Sequence, residues 1–117
     1  MDCVIIDKDQ FVEVFGRETE KHASYYSFGG VVFSAVKRGG AVVTHVGCKR
    51  ENMRNLREAC RRYCYYMLTT FEWCKMVVAT VDLKRQSVIN LCRKLGFIDT
   101  GDFEFEHGTA KVMVKIR

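Results

Sequence analysis

The chain has 117 residues, 48% apolar and 28% charged, with a net charge of +5. That length reads as one domain spanning residues 1–117, and the balance is that of a folded globule rather than a disordered chain. No apolar run reaches the roughly 18 residues of a spanning helix, proline is absent, and no basic start followed by an apolar stretch marks a secretory signal, which argues against a membrane span, proline-rich linkers and export.

In chain order, Cys3-Val4-Ile5-Ile6 reads as a first strand. Asp7 with Gln10 three residues on has the form of a capping box, so a helix starts near Lys8. Phe11, Val14 and Phe15 fall on one face of it, and the spacing predicts a helix to about His22, with Gly16 inside it at a cost of about 1 kcal/mol relative to alanine. Tyr25 to Val36 is aromatic and β-branched and reads as one strand, bulged or bent at Gly29-Gly30. Lys37-Arg38-Gly39-Gly40 is a hairpin turn, and Ala41 to Val46 is the returning strand.

Met53, Leu56, Cys60, Tyr63 and Met67 recur at three- and four-residue steps between polar positions, the pattern of an amphipathic helix from about Glu51 to Thr69. Lys75 to Val81 has a Met-Val-Val-Ala core without strict alternation, as expected of a parallel strand covered on both faces. Val88, Leu91, Cys92 and Leu95 mark a helix from about Arg85 to Leu95, with Gly96 at its end. Phe97 to Phe105 and Ala110 to Ile116 alternate around Glu106-His107-Gly108-Thr109, the signature of an antiparallel hairpin. The order predicts an α/β fold with a mixed, mostly antiparallel sheet, a central parallel strand pair and flanking helices.

The six cysteines, at positions 3, 48, 60, 64, 74 and 92, include no C-x-x-C pair, and His22, His45 and His107 are scattered. Neither a disulfide framework nor zinc-ligand spacing is present, so the thiols read as reduced, buried groups in a cytoplasmic protein. Charge is segregated. Residues 1–47 hold five basic and six acidic groups, residues 48–95 eleven and four, and residues 96–117 three and four. The middle block owes its excess largely to Lys49, Arg50, Arg54, Arg57, Arg61 and Arg62, a stripe that is either a solvated helix face or a phosphate-attracting surface.

Val77-Val78-Ala79-Thr80-Val81-Asp82 followed by Ser87-Val88-Ile89-Asn90-Leu91-Cys92-Arg93-Lys94-Leu95-Gly96-Phe97 resembles the second half of the GCN5-related N-acetyltransferase (GNAT) superfamily, in which a strand leads to a helix ending in Leu-Tyr-x-x-x-Gly-Phe and then to a hairpin. The element order from Tyr25 to Arg117 is similar as well. The resemblance implies a GNAT-like acyl-CoA N-acyltransferase fold and acetyl transfer from acetyl-CoA to an amine. It implies that the backbone of Val43, Thr44, His45, Val46 and Gly47 holds the pantetheine arm of acetyl-CoA or CoA. Cys48, Lys49, Arg50 and Arg54 would then meet the phosphates, and the general acid would fall at Cys92. The chain departs from the family pattern in three respects. No glycine lies between Gly47 and Gly96, where the family has a glycine-rich phosphate loop; the asparagine that usually precedes the later helix is Arg85; the tyrosine is Cys92. A buried small residue is the alternative role for Cys92. Glu104, Glu106 and His107 are either amine-deprotonating groups or a solvated turn.

The chain is also similar to short GNAT-like proteins of tailed bacteriophages, including internal virion proteins with an eroded cofactor loop. That likeness implies a non-catalytic interaction or virion component with a protein partner, in the host cytoplasm or the virion. A third reading is a small nucleic-acid binder using Arg54, Arg57, Arg61 and Arg62.

Overall fold

The computed structural model describes residues 1–106 and 108–117. Its elements are β1 (Cys3–Ile6), α1 (Lys8–Phe15), β2 (Ser24–Phe28), β3 (Val31–Arg38), β4 (Ala41–Cys48), a 3-10 turn (Arg50–Asn55), α2 (Leu56–Thr70), β5 (Met76–Asp82), α3 (Gln86–Lys94), β6 (Ile98–Phe105) and β7 (Gly108–Ile116). The strands form one sheet in the order β1-β2-β3-β4-β5-β7-β6, in which β4 and β5 are parallel and every other pair antiparallel. This is the mixed sheet with a central parallel pair that the sequence predicts. Among the described residues no helix is long and apolar enough to cross a membrane.

β4 runs two residues further than the sequence reading, to Cys48, and β7 starts two residues earlier, at Gly108; three larger differences each have a local reason. The capping box at the start of α1 is present, with Asp7 and Gln10 bonded reciprocally at 2.8 and 2.9 Å. The helix stops at Phe15, however, because Gly16 takes the left-handed conformation (φ +97°) and its N–H bonds Val12 O. Residues 17–23 are therefore an open loop. The segment 25–36 is two strands, since Gly29 and Gly30 both have positive φ (+57° and +83°), the geometry of a two-residue hairpin turn rather than a bulge. The long basic helix begins as a 3-10 turn. Asn55 Nδ2 donates to Gly29 O at 2.9 Å, tying the turn to the β2–β3 hairpin, and the tighter winding turns Met53 out to solvent while Cys60, Tyr63 and Met67 keep the core face.

Residues alternate between the two sheet faces. Phe33, Val42, Val77, Ala79, Val81 and Met113 meet α2 and α3 in the main core. Its centre is Tyr63, fully buried, with its ring stacked on Phe33 at 4.2 Å between centroids. On the opposite face α1 packs across β2, β3 and β4, inserting Phe11 beside Tyr25 (5.1 Å) and Phe15 (5.0 Å).

Candidate active site

The site arises where β4 and β5 part. Their parallel register runs from Ala41–Met76 to Thr44–Ala79 and ends there, although β4 continues to Cys48 and β5 to Asp82. Beyond that point β4 stays paired with β3 as far as Cys48, and β5 stays paired with β7 as far as Asp82. Each strand follows its outer neighbour, and the sheet's twist opens a wedge between the two halves.

The fork is braced from behind. Thr44, the last β4 residue in register, points into the α2 side of the sheet and shares a 2.6 Å hydrogen bond with the Tyr63 hydroxyl. Burial drives the Tyr63 phenol far above its ordinary range, so it stays a neutral hydroxyl. From the front, Phe15 lies so close over Gly47 that a Cβ there would stand 2.9 Å from the ring.

The wedge is a cleft of about 680 Å³. One wall is Phe15 and the loop residues Arg17, Thr19 and Glu20; the other is Thr80, Val81 and Asp82 with Arg85 and Val88; the β6–β7 hairpin closes one end through Phe105 and Gly108–Ala110. Val43, His45 and Val46 form its β4 side. The His45 ring meets the edge of Phe15 at 5.8 Å. Arg17 stacks its guanidinium on Phe15, 5.1 Å from the centroid, and Glu20 is ion-paired with Arg38. Asp82 accepts a 2.9 Å hydrogen bond from the Lys84 N–H.

Of the residues singled out from sequence, Val43, His45 and Val46 come together in the cleft, and Thr44 lies behind it. Gly47, Cys48, Lys49, Arg50 and Arg54 continue from its β4 side into the 3-10 turn. The Cys48 thiol, pushed up by burial, donates to Lys49 O at 3.2 Å. Lys49 meets Glu13 of α1 at 3.5 Å, while Arg50 and Arg54 are exposed and make no ion pair among the described residues. Cys92 lies in the main core, 8% exposed and outside the cleft lining, with its thiol pushed up to about 11 by burial. Glu104 and Glu106 are exposed at the hairpin; His107 lies outside the described residues. Sequence reasoning missed Arg17, Thr19, Glu20, Asp82 and the side chain of His45. Reading Gly16 as a helix stop would have exposed the first three as a loop.

Parted parallel strands offer backbone groups on both sides of a slot, and cations stand at the end where β4 gives way to a helix start. No protein-family model matches the chain, and neither does any curated protein sequence. Solved structures do match. A chimera of the Vibrio cholerae spermidine N-acetyltransferase SpeG and hSSAT aligns with a TM-score of 0.70 at 12% identity, over 80% of this chain and 66% of that one. A ribosomal-protein-S5-alanine acetyltransferase from Vibrio fischeri aligns at 0.69 and 14% identity, over 80% and 61%. A dodecameric spermidine N-acetyltransferase from Vibrio cholerae aligns at 0.66 and 11% identity, over 83% and 66%.

The fold is that of the GNAT acetyltransferases. At these identities the likeness establishes the architecture, and the chain spans less than two thirds of the length of these neighbours. β4 and β5 are the sheet's parallel pair, and the 3-10 turn leads from the end of β4 into α2.

Proposed function

We propose that this chain binds acetyl-CoA in the β4–β5 wedge and transfers the acetyl group to an amine. The observation that carries the reading is the end of the β4–β5 register at Thr44 and Ala79 beside a 680 Å³ cleft. The backbone of Val43–Gly47 takes the pantetheine arm, and Arg50 and Arg54, with Lys49, take the phosphates. Guanidinium groups in place of glycine amides make this loop a charged variant of the family's, one that attracts phosphate through charge-assisted hydrogen bonds from side chains.

Bound acetyl-CoA supplies the thioester carbonyl, and the acetyl group passes from sulfur to nitrogen as the amine loses a proton and the thiol leaves protonated. His45 lies in the cleft on the same face of β4 as Val43, held against Phe15, and its imidazole accepts the amine proton. Asp82 and Glu20 lie on opposite walls, each beside an arginine (Arg85 and Arg17), which gives a charge-balanced lining open to an amine acceptor. The spermidine N-acetyltransferases among the structural neighbours act on such an amine, which supports the same class here.

One observation favours a second reading, in which the cofactor is bound but not turned over, as in a non-catalytic interaction or virion component. Cys92, at the position of the family's tyrosine, is buried away from the cleft with a raised pKa, which leaves α3 without a proton donor there.

The two readings separate in one experiment. Under the first, acetyl-CoA raises the melting temperature in a saturable way that follows RT ln(1 + [L]/Kd), and CoA is released with an amine present. His45→Gln then lowers kcat about 100-fold with little change in the KM for acetyl-CoA. Saturable binding with no CoA release supports the second reading. No thermal shift at millimolar acetyl-CoA removes both.

A further inference from the structure

A second concavity lies along α2, on the face of the sheet opposite α1. It is a groove of about 430 Å³ walled by Phe28, Arg61, Arg62, Tyr65, Tyr66 and Thr69, and it shares no lining residue with the cleft. Arg57, Arg61, Tyr65 and Thr69 follow one another at four-residue steps, about 6 Å apart along the helix axis, and all four are exposed. In the sequence these positions read as part of a basic stripe; the structure adds rings to it. Tyr66 is fixed against Tyr26, Phe28 and Phe71, with centroids at 5.6, 6.3 and 5.9 Å. Its neighbour Tyr65 is 69% exposed and has no ring partner among the described residues.

The groove also carries surplus positive charge. Glu58 is the one acidic residue of α2, and it serves two arginines: Arg61 Nε donates to it at 3.1 Å and Arg62 Nε at 3.0 Å. Arg62 Nη1 donates as well to Met1 O at 3.0 Å, which holds that guanidinium at the groove wall. Two guanidinium groups against one carboxylate leave a net cation, and Arg57 makes no ion pair among the described residues. The pairs with Glu58 are solvent-exposed and therefore weak, so a phosphate oxygen can take the place of the carboxylate.

We infer that this groove binds single-stranded nucleic acid, with a base stacked on Tyr65 and the adjoining phosphates running along Arg61 and Arg57. Two features select that occupant. The surplus of cations calls for a polyanion, in a block of the chain, residues 48–95, that holds eleven basic groups and four acidic ones. The open ring beside those cations calls for a flat π-face, which a base offers and an acidic peptide does not. A duplex keeps its bases stacked and paired, whereas a single strand can turn one out onto the tyrosine.

Fluorescence anisotropy of a labelled oligothymidylate of about 12 nucleotides, titrated with the full chain, tests this. The expected result is saturable binding that weakens about tenfold between about 50 and 200 mM salt, the dependence of about two phosphates neutralised on a single strand. Tyr65→Ala weakens binding about tenfold at every salt concentration and leaves the salt slope unchanged. Arg57→Gln with Arg61→Gln flattens the slope instead. These side chains are exposed, and circular dichroism checks that the variants stay folded. No binding at the lowest salt overturns the inference, as does binding that ignores ionic strength, an affinity that survives both sets of substitutions, or an equal affinity for a duplex of the same length. The readout is oligonucleotide binding, so it is decided independently of whether acetyl-CoA binds.

Discussion

The two ends of the β4–β5 pair are built from similar residues and do different things. From Ala41–Met76 to Thr44–Ala79 the strands are in register, with Val42, Val77 and Ala79 buried against α2. Beyond it, Val46 and Val81 are as apolar as their predecessors and still pack against the main core, yet their strands no longer pair and both residues border the cleft between them. The strands' own composition therefore does not decide where pairing stops. The neighbours do. β3 and β7 hold the outer edges, Tyr63 pins Thr44 from behind, and Phe15 sits on Gly47 from in front. A cleft made in this way is braced on three sides, and ligand can enter it without separating paired strands.

Removing the brace behind the fork has the largest expected effect. Tyr63→Ala deletes a fully buried ring stacked on Phe33 and leaves the Thr44 hydroxyl without its partner, at about 3–5 kcal/mol in chemical denaturation. A loss near 1 kcal/mol would mean that the fork is not held from this side.

The front brace is next. Gly47→Val drives a branched side chain into Phe15 and lifts α1 from β4, at about 2 kcal/mol of stability. Acetyl-CoA affinity should fall with it, since the parted segment loses its cover. Unchanged stability would show that α1 yields freely.

The closed side can be probed by pH. Burial raises the Cys92 thiol to about 11 and Cys64 to about 12, from an ordinary value of 9.0. The folded chain holds these protons more tightly than the unfolded chain, so the stabilisation is complete below pH 9 and is lost as pH rises towards those values. Each group contributes about 1 kcal/mol of loss between pH 9 and pH 10. Cys92→Ala flattens that slope. A melting temperature that is level across this window would place these thiols in water.

The smallest effect on the fold, and the most selective, comes from the lip. Arg50→Glu leaves stability within about 0.5 kcal/mol, as for an exposed residue, while weakening acetyl-CoA about tenfold by reversing a charge at the phosphate end. Equal affinity in the variant would remove the phosphates from this turn.

Legibility in the sequence followed the range of the interaction. Cys60, Tyr63 and Met67 announce one helix face because their spacing is a local periodicity, and the capping box at Asp7 and Gln10 is likewise local. Met53 has the right spacing and the wrong environment, because Asn52 and Asn55 are drawn to the β2–β3 hairpin and the first turns wind as 3-10. Gly29-Gly30 reads in the sequence as a bulge or bend within one strand, because only the pairing of β2 with β3 across the sheet makes it a turn. The parted strands could be expected only through the family resemblance. His45 was legible as a β4 position, but its neighbour Phe15 comes from a different element. Arg17 and Glu20 were hidden inside a helix read seven residues too long.

The most direct test of the wedge is a titration of acetyl-CoA followed by backbone amide shifts. The expected result is a saturable response that is largest from Val43 to Gly47 and from Cys48 to Arg54, with the in-register segment Met76–Ala79 moving less. A response centred on another part of the sheet, or none at millimolar ligand, would contradict it.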